Sequence, residues 1–208
     1  MKKMKNHKRI LAAVLLVLMC ALLVSSACAA SSTKNLRTLA TTRNLDDLPP
    51  FKFEKHKYGI GYGSCPVYTA PTESAYRSAN GKASVATDGY EVDDAGWVDG
   101  WLLVRYQIKT GWRVGYIPPK FVKGFKSSMS AHFGYIPCVA DAQIYVTDNP
   151  YSHTDSIGLM DEGEEFHVLS RYNYYAKEGY DWWYIECYID GQVARGFIDV
   201  NEAFHVEE

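Results

Sequence analysis

The chain has 208 residues, 47% hydrophobic and 22% charged, an ordinary globular balance that excludes a disordered protein. Its formal charge is -2, but the first 30 residues hold five basic residues and no acid. Beyond them stand 22 minus 5, or 17, basic residues against 24 acidic ones, which excludes the basic footprint of a nucleic-acid binder.

Met1 to Ala30 reads as an export signal: Lys2, Lys3, Lys5, Lys8 and Arg9, the apolar run Ile10 to Val24, then small residues. Ala27-Cys28-Ala29 fits the small-x-small cleavage rule, which makes 1–29 the signal peptide. Two alternatives stand beside it. The run could be retained as a membrane anchor, for which it is short. Ser25-Ser26-Ala27-Cys28 is also similar to a bacterial lipoprotein box, with a lipid on Cys28; the box has Leu where Ser25 stands. Residues 30–57 read as a tether, rich in Ser, Thr, Asn and Asp with sparse leucines. Phe51 to Tyr62 alternates apolar and charged residues and suggests a first strand.

From Tyr58 onward the chain says the same thing twice. Trp101 to Ile108 alternates with period two, placing Leu102, Val104, Tyr106 and Ile108 on one face and Trp101, Leu103, Arg105 and Gln107 on the other. Trp182 stands 81 positions after Trp101. There Trp183, Ile185, Cys187 and Ile189 share one face, and Trp182, Tyr184, Glu186 and Tyr188 the other. Each strand leads through turn chemistry, Lys109-Thr110-Gly111 or Asp190-Gly191, into a partner ending in Gly115-Tyr116-Ile117-Pro118 or Gly196-Phe197-Ile198-Asp199. Upstream, Cys65 to Tyr68 pairs with Gln143 to Tyr145, at an offset of 77 for Tyr68 and Tyr145. Asp88-Gly89 and Glu162-Gly163 supply turns in both copies. The repeat predicts one unit over 58–126, a connector over 127–132 and a second unit over 133–208. An extra loop, Arg171 to Tyr180, marks the second copy.

These motifs resemble the bacterial SH3-like (SH3b) domain: Val67-Tyr68-x-Ala70-Pro71, Trp101-x-x-Val104 and Gly115-Tyr116-Ile117-Pro118, then Ile144-Tyr145, Trp182-x-x-Ile185 and Gly196-Phe197-Ile198. The resemblance covers nearly all of the chain past Tyr58. It implies an all-β protein of two tandem small SH3-like β-barrels after a signal peptide and a short tether. The segment from Gly115 to Val122 is also similar to the peptide-groove segment of eukaryotic SH3 domains. By position this makes Trp101, Pro118 and Phe121 groove residues, with Tyr68 at the edge. Lys120 replaces the family's asparagine, and in the second copy Asp199 replaces the proline.

Trp101 and Trp182, with Tyr184 beside the latter, lie on the face opposite the presumed core, where a rigid indole makes a ligand platform. The alternative is that the indoles pack under a loop or against the other unit. Tyr172, Tyr174, Tyr175 and Tyr180 cluster in the extra loop, either to stack on a ligand or to pack on themselves. Cys65, Cys138 and Cys187 remain after signal removal, an odd count that leaves one thiol unpaired or bonded between chains. The reading for Cys187 is a structural buried thiol, and a Cys65–Cys138 disulfide is an alternative. The histidines lack the spacing of metal ligands or of a base for a cysteine nucleophile. The expectation is therefore an exported, envelope-associated or extracellular protein with no catalytic residue, metal or cofactor. By resemblance its ligand is cell-wall peptidoglycan or an extended peptide. The alternatives are a structural or adhesive protein contacting another envelope protein, and a targeting subunit for a separate wall hydrolase.

Overall fold

The computed structural model describes residues 45, 48–55, 63–86, 92–122, 125–127, 129–151, 155–173 and 181–199. These belong to one compact unit, Arg43–Glu208. The export signal, Cys28 and the Asp88-Gly89 turn lie outside the described residues.

Two four-stranded antiparallel sheets form the body. The first has the order β1 (Glu54–Lys55), β4 (Asp93–Val98), β5 (Trp101–Ile108), β6 (Gly111–Ile117). The second has the order β12 (Gln192–Asp199), β11 (Asp181–Ile189), β10 (Glu165–Asn173), β7 (Ile136–Val139). A two-stranded ribbon accompanies each: β2 (Ser64–Pro66) with β3 (Ser84–Ala86), and β8 (Ile144–Val146) with β9 (Gly158–Met160). The hairpin turns follow the local chemistry. Asp99-Gly100 and Asp190-Gly191 both take positive φ at each residue, the primed geometry that matches strand twist.

The duplication is real at the level of register. Trp101 to Ile108 and Trp182 to Ile189 pair their hairpin partners identically, Val104 with Gly115 and Ile185 with Gly196. Both neighbouring strands carry a bulge at the same place, between Asp94 and Gly96 and between Val168 and Ser170. A lone bridge then joins each sheet to its ribbon strand, Tyr68 to Tyr116 and Thr147 to Phe197. A Cβ on Gly115 would stand 2.8 Å from the Tyr68 carbonyl oxygen, and one on Gly196 2.8 Å from that of Thr147. Glycine is what lets backbone approach backbone there. These bridges equate Tyr68 with Thr147, an offset of 79 rather than 77. The shift of two preserves which face each side chain takes, so the sequence pattern does not distinguish the registers.

Among the described residues neither sheet closes into a barrel, which corrects the expected fold class. Ribbon and sheet meet through one bridge in each copy, not through a continuous ladder. The inner faces are as expected: Leu102, Val104 and Tyr106 pack with Cys65, Val67 and Val85. Trp183, Ile185, Cys187 and Ile189 pack with Ile136, Cys138, Val146 and Met160. The outer faces are buried too, against each other. Leu103, Val114 and Tyr116 of the first sheet share a core with Leu169, Tyr172, Trp182, Tyr184 and Phe197 of the second. A small unit buries too little surface by itself. Here that burial is supplied by face-to-face packing of two open sheets.

The segment read as a tether contributes to both layers. Leu48 is 5% exposed within the second lobe's core, and Phe51 enters the shared one. The Phe51 ring lies 5.2 Å from both Tyr172 and Tyr184 and 6.0 Å from Phe133. The segment between the copies is also tied down. Ser127 donates to Asp94 at 2.7 Å, Ser130 donates to the Trp97 carbonyl at 3.2 Å, and the Met129 carbonyl crosses the β4 bulge at Gly96.

Candidate functional site

Of the predicted ligand residues, Trp182 (4% exposed), Tyr184 (1%) and Tyr172 (4%) form the wall between the lobes. Tyr184 donates its hydroxyl to that of Tyr116 at 3.1 Å, across the lobes. Tyr172 shares a 2.6 Å hydrogen bond with the Tyr151 hydroxyl. Their faces are thus committed to the protein's own interior. Arg171 to Asn173 are the last residues of β10 and not loop, while Tyr174, Tyr175 and Tyr180 lie outside the described residues. Trp101 is half-buried on the edge of the shared core, its ring 5.4 Å from Tyr68 in edge-to-face contact. Pro118 is buried, and Phe121 packs on the first lobe's inner core. Trp101 and Phe121 therefore serve different cores.

The aromatic surface that does face solvent was not among the predicted site residues. Tyr145 is 61% exposed and stands directly across from Leu159, 37% exposed, on the β8–β9 ribbon. Tyr188, at the outer end of β11, is 66% exposed. The alternation in Ile144-Tyr145-Val146 was the available signal, since Ile144 and Val146 point inward.

A second site lies between the lobes, a cleft of about 500 Å³. Ser78, Lys82, Ser84, Tyr106, Ile108 and Arg113 come from the first lobe, and Asp148, Asp155, Ser156 and Ile157 from the second. Its rim is the tight turn Ser78–Gly81, where Ala79 (φ 56°, ψ 44°) and Asn80 (φ 53°, ψ 46°) both take the left-handed conformation. For alanine this costs roughly 1 kcal/mol or more, so the surroundings must hold it. Arg77 does so, donating to the carbonyls of Ala83 at 2.7 Å and Val67 at 3.3 Å. At the floor Arg113 joins two carboxylates of the other lobe, Asp148 at 3.2 Å and Asp155 at 3.0 Å. Ser78 adds a hydrogen bond to Asp148 at 2.9 Å, and the Val114 amide donates to the Asp148 carbonyl at 2.8 Å.

Burial pushes the Asp148 carboxyl up to about 6, although Arg113 and Ser78 pull it down. The folded state therefore holds this proton more tightly than the unfolded chain. Stability from this group is full below the unfolded value near 4 and falls as pH rises through about 6. Lowering the pH from 7 to 4.5 should stabilise wild type over Asp148→Asn by on the order of 2 kcal/mol. Urea unfolding of both proteins at the two pH values measures this difference. Asp155 moves the other way, lowered by hydrogen bonds from Arg113 and Asn149.

Cys65, Cys138 and Cys187 are buried as thiols, with no disulfide between Cys65 and Cys138. Burial raises Cys138 to about 11 and Cys187 to about 12. Since the thiolate is the reactive form, iodoacetamide at pH 8 should leave both unmodified in the native protein and alkylate them in urea. Intact-mass and peptide mass spectrometry read the result. Among the described residues no group of three or more His, Cys, Asp or Glu is placed to hold a metal ion, and no helix is long and apolar enough to cross a membrane. No protein-family model matches the chain, and no curated protein matches it. What the fold and surface define is a two-lobed all-β protein whose solvent-exposed aromatics are consistent with a general protein-binding surface.

Proposed function

We propose that this is an exported, non-catalytic protein that works through protein–protein contact, in a structural or adhesive role at the cell envelope. The observation that carries the reading is the Tyr145–Leu159 pair, an aromatic and an aliphatic side chain displayed together on the outer face of a ribbon. Tyrosine provides large contact area at low entropic cost, and the ribbon's inner residues hold it rigidly. The reading of residues 1–29 as an export signal and the SH3b resemblance support the envelope setting. The burial of Cys65, Cys138 and Cys187, the cysteines among the described residues, supports a role without a thiol nucleophile. Recognition of peptidoglycan draws on the resemblance alone, because Trp182, Tyr184 and Tyr172 are taken up by the shared core.

A photo-crosslinking amino acid at position 145, compared with one at exposed Lys109, tests the proposal in the exporting cell. A discrete protein adduct at 145 and none at 109 is the expected result. Equal labelling at both positions, or none at either, overturns it. Retention on purified sacculi, lost when the peptide stems are digested, would instead favour the wall.

A further inference from the structure

We propose that the cleft between the lobes binds a small zwitterion of the amino-acid or dipeptide type, with Lys82, Tyr106 and Ser84 receiving its carboxylate and Asp155 its ammonium. The volume of about 500 Å³ is that of a small-molecule site.

The argument starts from Tyr106. It is 4% exposed and its ring belongs to the first lobe's inner core, yet its hydroxyl bonds to no described residue. Nor is that oxygen among the buried polar atoms lacking a partner, so it keeps contact with solvent, and the cleft is what it lines. The charges of Asp148, Arg113 and Arg77 all act on it, which places it at the polar floor. A phenol held this way is a preformed hydrogen-bond donor waiting for an acceptor.

Charge bookkeeping then selects the guest. Arg113 is already engaged by two carboxylates. Lys82, exposed on the rim, has an ammonium with no ion pair among the described residues, and the Ser84 hydroxyl is likewise open. One uncommitted cation with two hydroxyls suits a single carboxylate. A phosphate, with more charge, would face repulsion from Asp148 and Asp155 in the same wall. Asp155 turns Oδ2 to Arg113 and Asn149 at 3.0 and 3.1 Å, and its Oδ1 takes no partner among the described residues. That oxygen suits an ammonium. Ile108 and Ile157 supply the apolar contact for a small aliphatic side chain. The turn at Ser78–Gly81, clamped by Arg77, keeps the rim in place, so little ordering is lost on binding.

The test is an amide-resolved NMR titration of the purified protein with L-alanyl-L-valine, its N-acetyl and C-terminal amide derivatives, and free L-valine. We expect saturable shifts confined to residues 78–84, 106–108, 113, 148 and 155–157, with a dissociation constant of about 1 mM or below. Either cap should weaken binding about tenfold, as should Tyr106→Phe and Lys82→Gln. Lys82→Gln should also remove the penalty of the C-terminal amide, which a merely structural role for Lys82 would not do. The dipeptide and valine arms tell which length the cleft takes. Absence of saturable shifts with both, shifts elsewhere, or equal binding of the capped forms would overturn the proposal. The Tyr145 crosslink is unaffected by any of these outcomes.

Discussion

Replacing Trp182 by alanine is expected to unfold both lobes together, at a cost of about 3–5 kcal/mol. Trp182 lies on the second sheet, but its ring fills the core that Leu103, Val114 and Tyr116 of the first sheet share. Removing it leaves a cavity between two sheets, each of which has already committed its inner face. Hydrogen exchange at Leu102 to Val104 and at Ile185 to Cys187 is the direct measurement. Protection should fall at both sites by the same free energy, because residues 43–208 are one compact unit. A loss confined to the second lobe would mean that the lobes are stable separately and that the shared core contributes little.

The second large effect is expected at Arg195. Its guanidinium is 4% exposed, accepted by Glu186 at 2.8 Å and by the Tyr116 hydroxyl at 3.1 Å. It also donates to the Tyr135 hydroxyl, approaches Asp99 at 3.8 Å, and lies 5.5 Å from the ring centres of Tyr116 and Phe133. Tyr116 and Asp99 are in the first lobe; Glu186, Phe133 and Tyr135 are in the second. Arg195→Ala should cost about 3–5 kcal/mol, since breaking a buried pair strands its partners. Arg195→Lys should recover less than half, because an ammonium cannot span the fork of acceptors nor stack on the rings. The loss should barely change with added salt, as screening hardly reaches a buried group. Urea unfolding at low and high ionic strength checks both points. A cost below about 1 kcal/mol would class the contact with surface ion pairs.

These two residues also show how far a linear reading reaches. Period-two alternation correctly sorted Leu102, Val104 and Tyr106 to one inner core and Trp183, Ile185, Cys187 and Ile189 to the other. The Asp190-Gly191 hairpin turn was legible because Asp-Gly at positive φ is a matter of local backbone sterics, while Asp99-Gly100, which turns the same way, was not read from the sequence. The face opposite was left between a ligand platform and packing under a loop or against the other unit, and Trp182 and Tyr184 take the second course. Trp101-Leu102-Leu103-Val104 and Trp182-Trp183-Tyr184-Ile185 are apolar without interruption, the mark of a strand covered on both sides. Leu103 and Tyr184, each fully buried, are the residues that carried this signal. The cleft, in contrast, had no linear trace. Ser78, Tyr106, Arg113, Asp148 and Asp155 share neither motif nor spacing, and they meet because two lobes dock.

By itself, then, the order of residues determined the strands, their turns, the duplication and the composition of each inner face. All of these depend on side-chain alternation and backbone sterics within a few positions. Only the tertiary structure decided that the sheets stay open, that the outward aromatics pack on one another, and that an ion-paired cleft forms at their border. Those depend on which surface a half-covered sheet finds to exclude water, and a second copy of the sheet, tethered in the same chain, is the nearest apolar surface available.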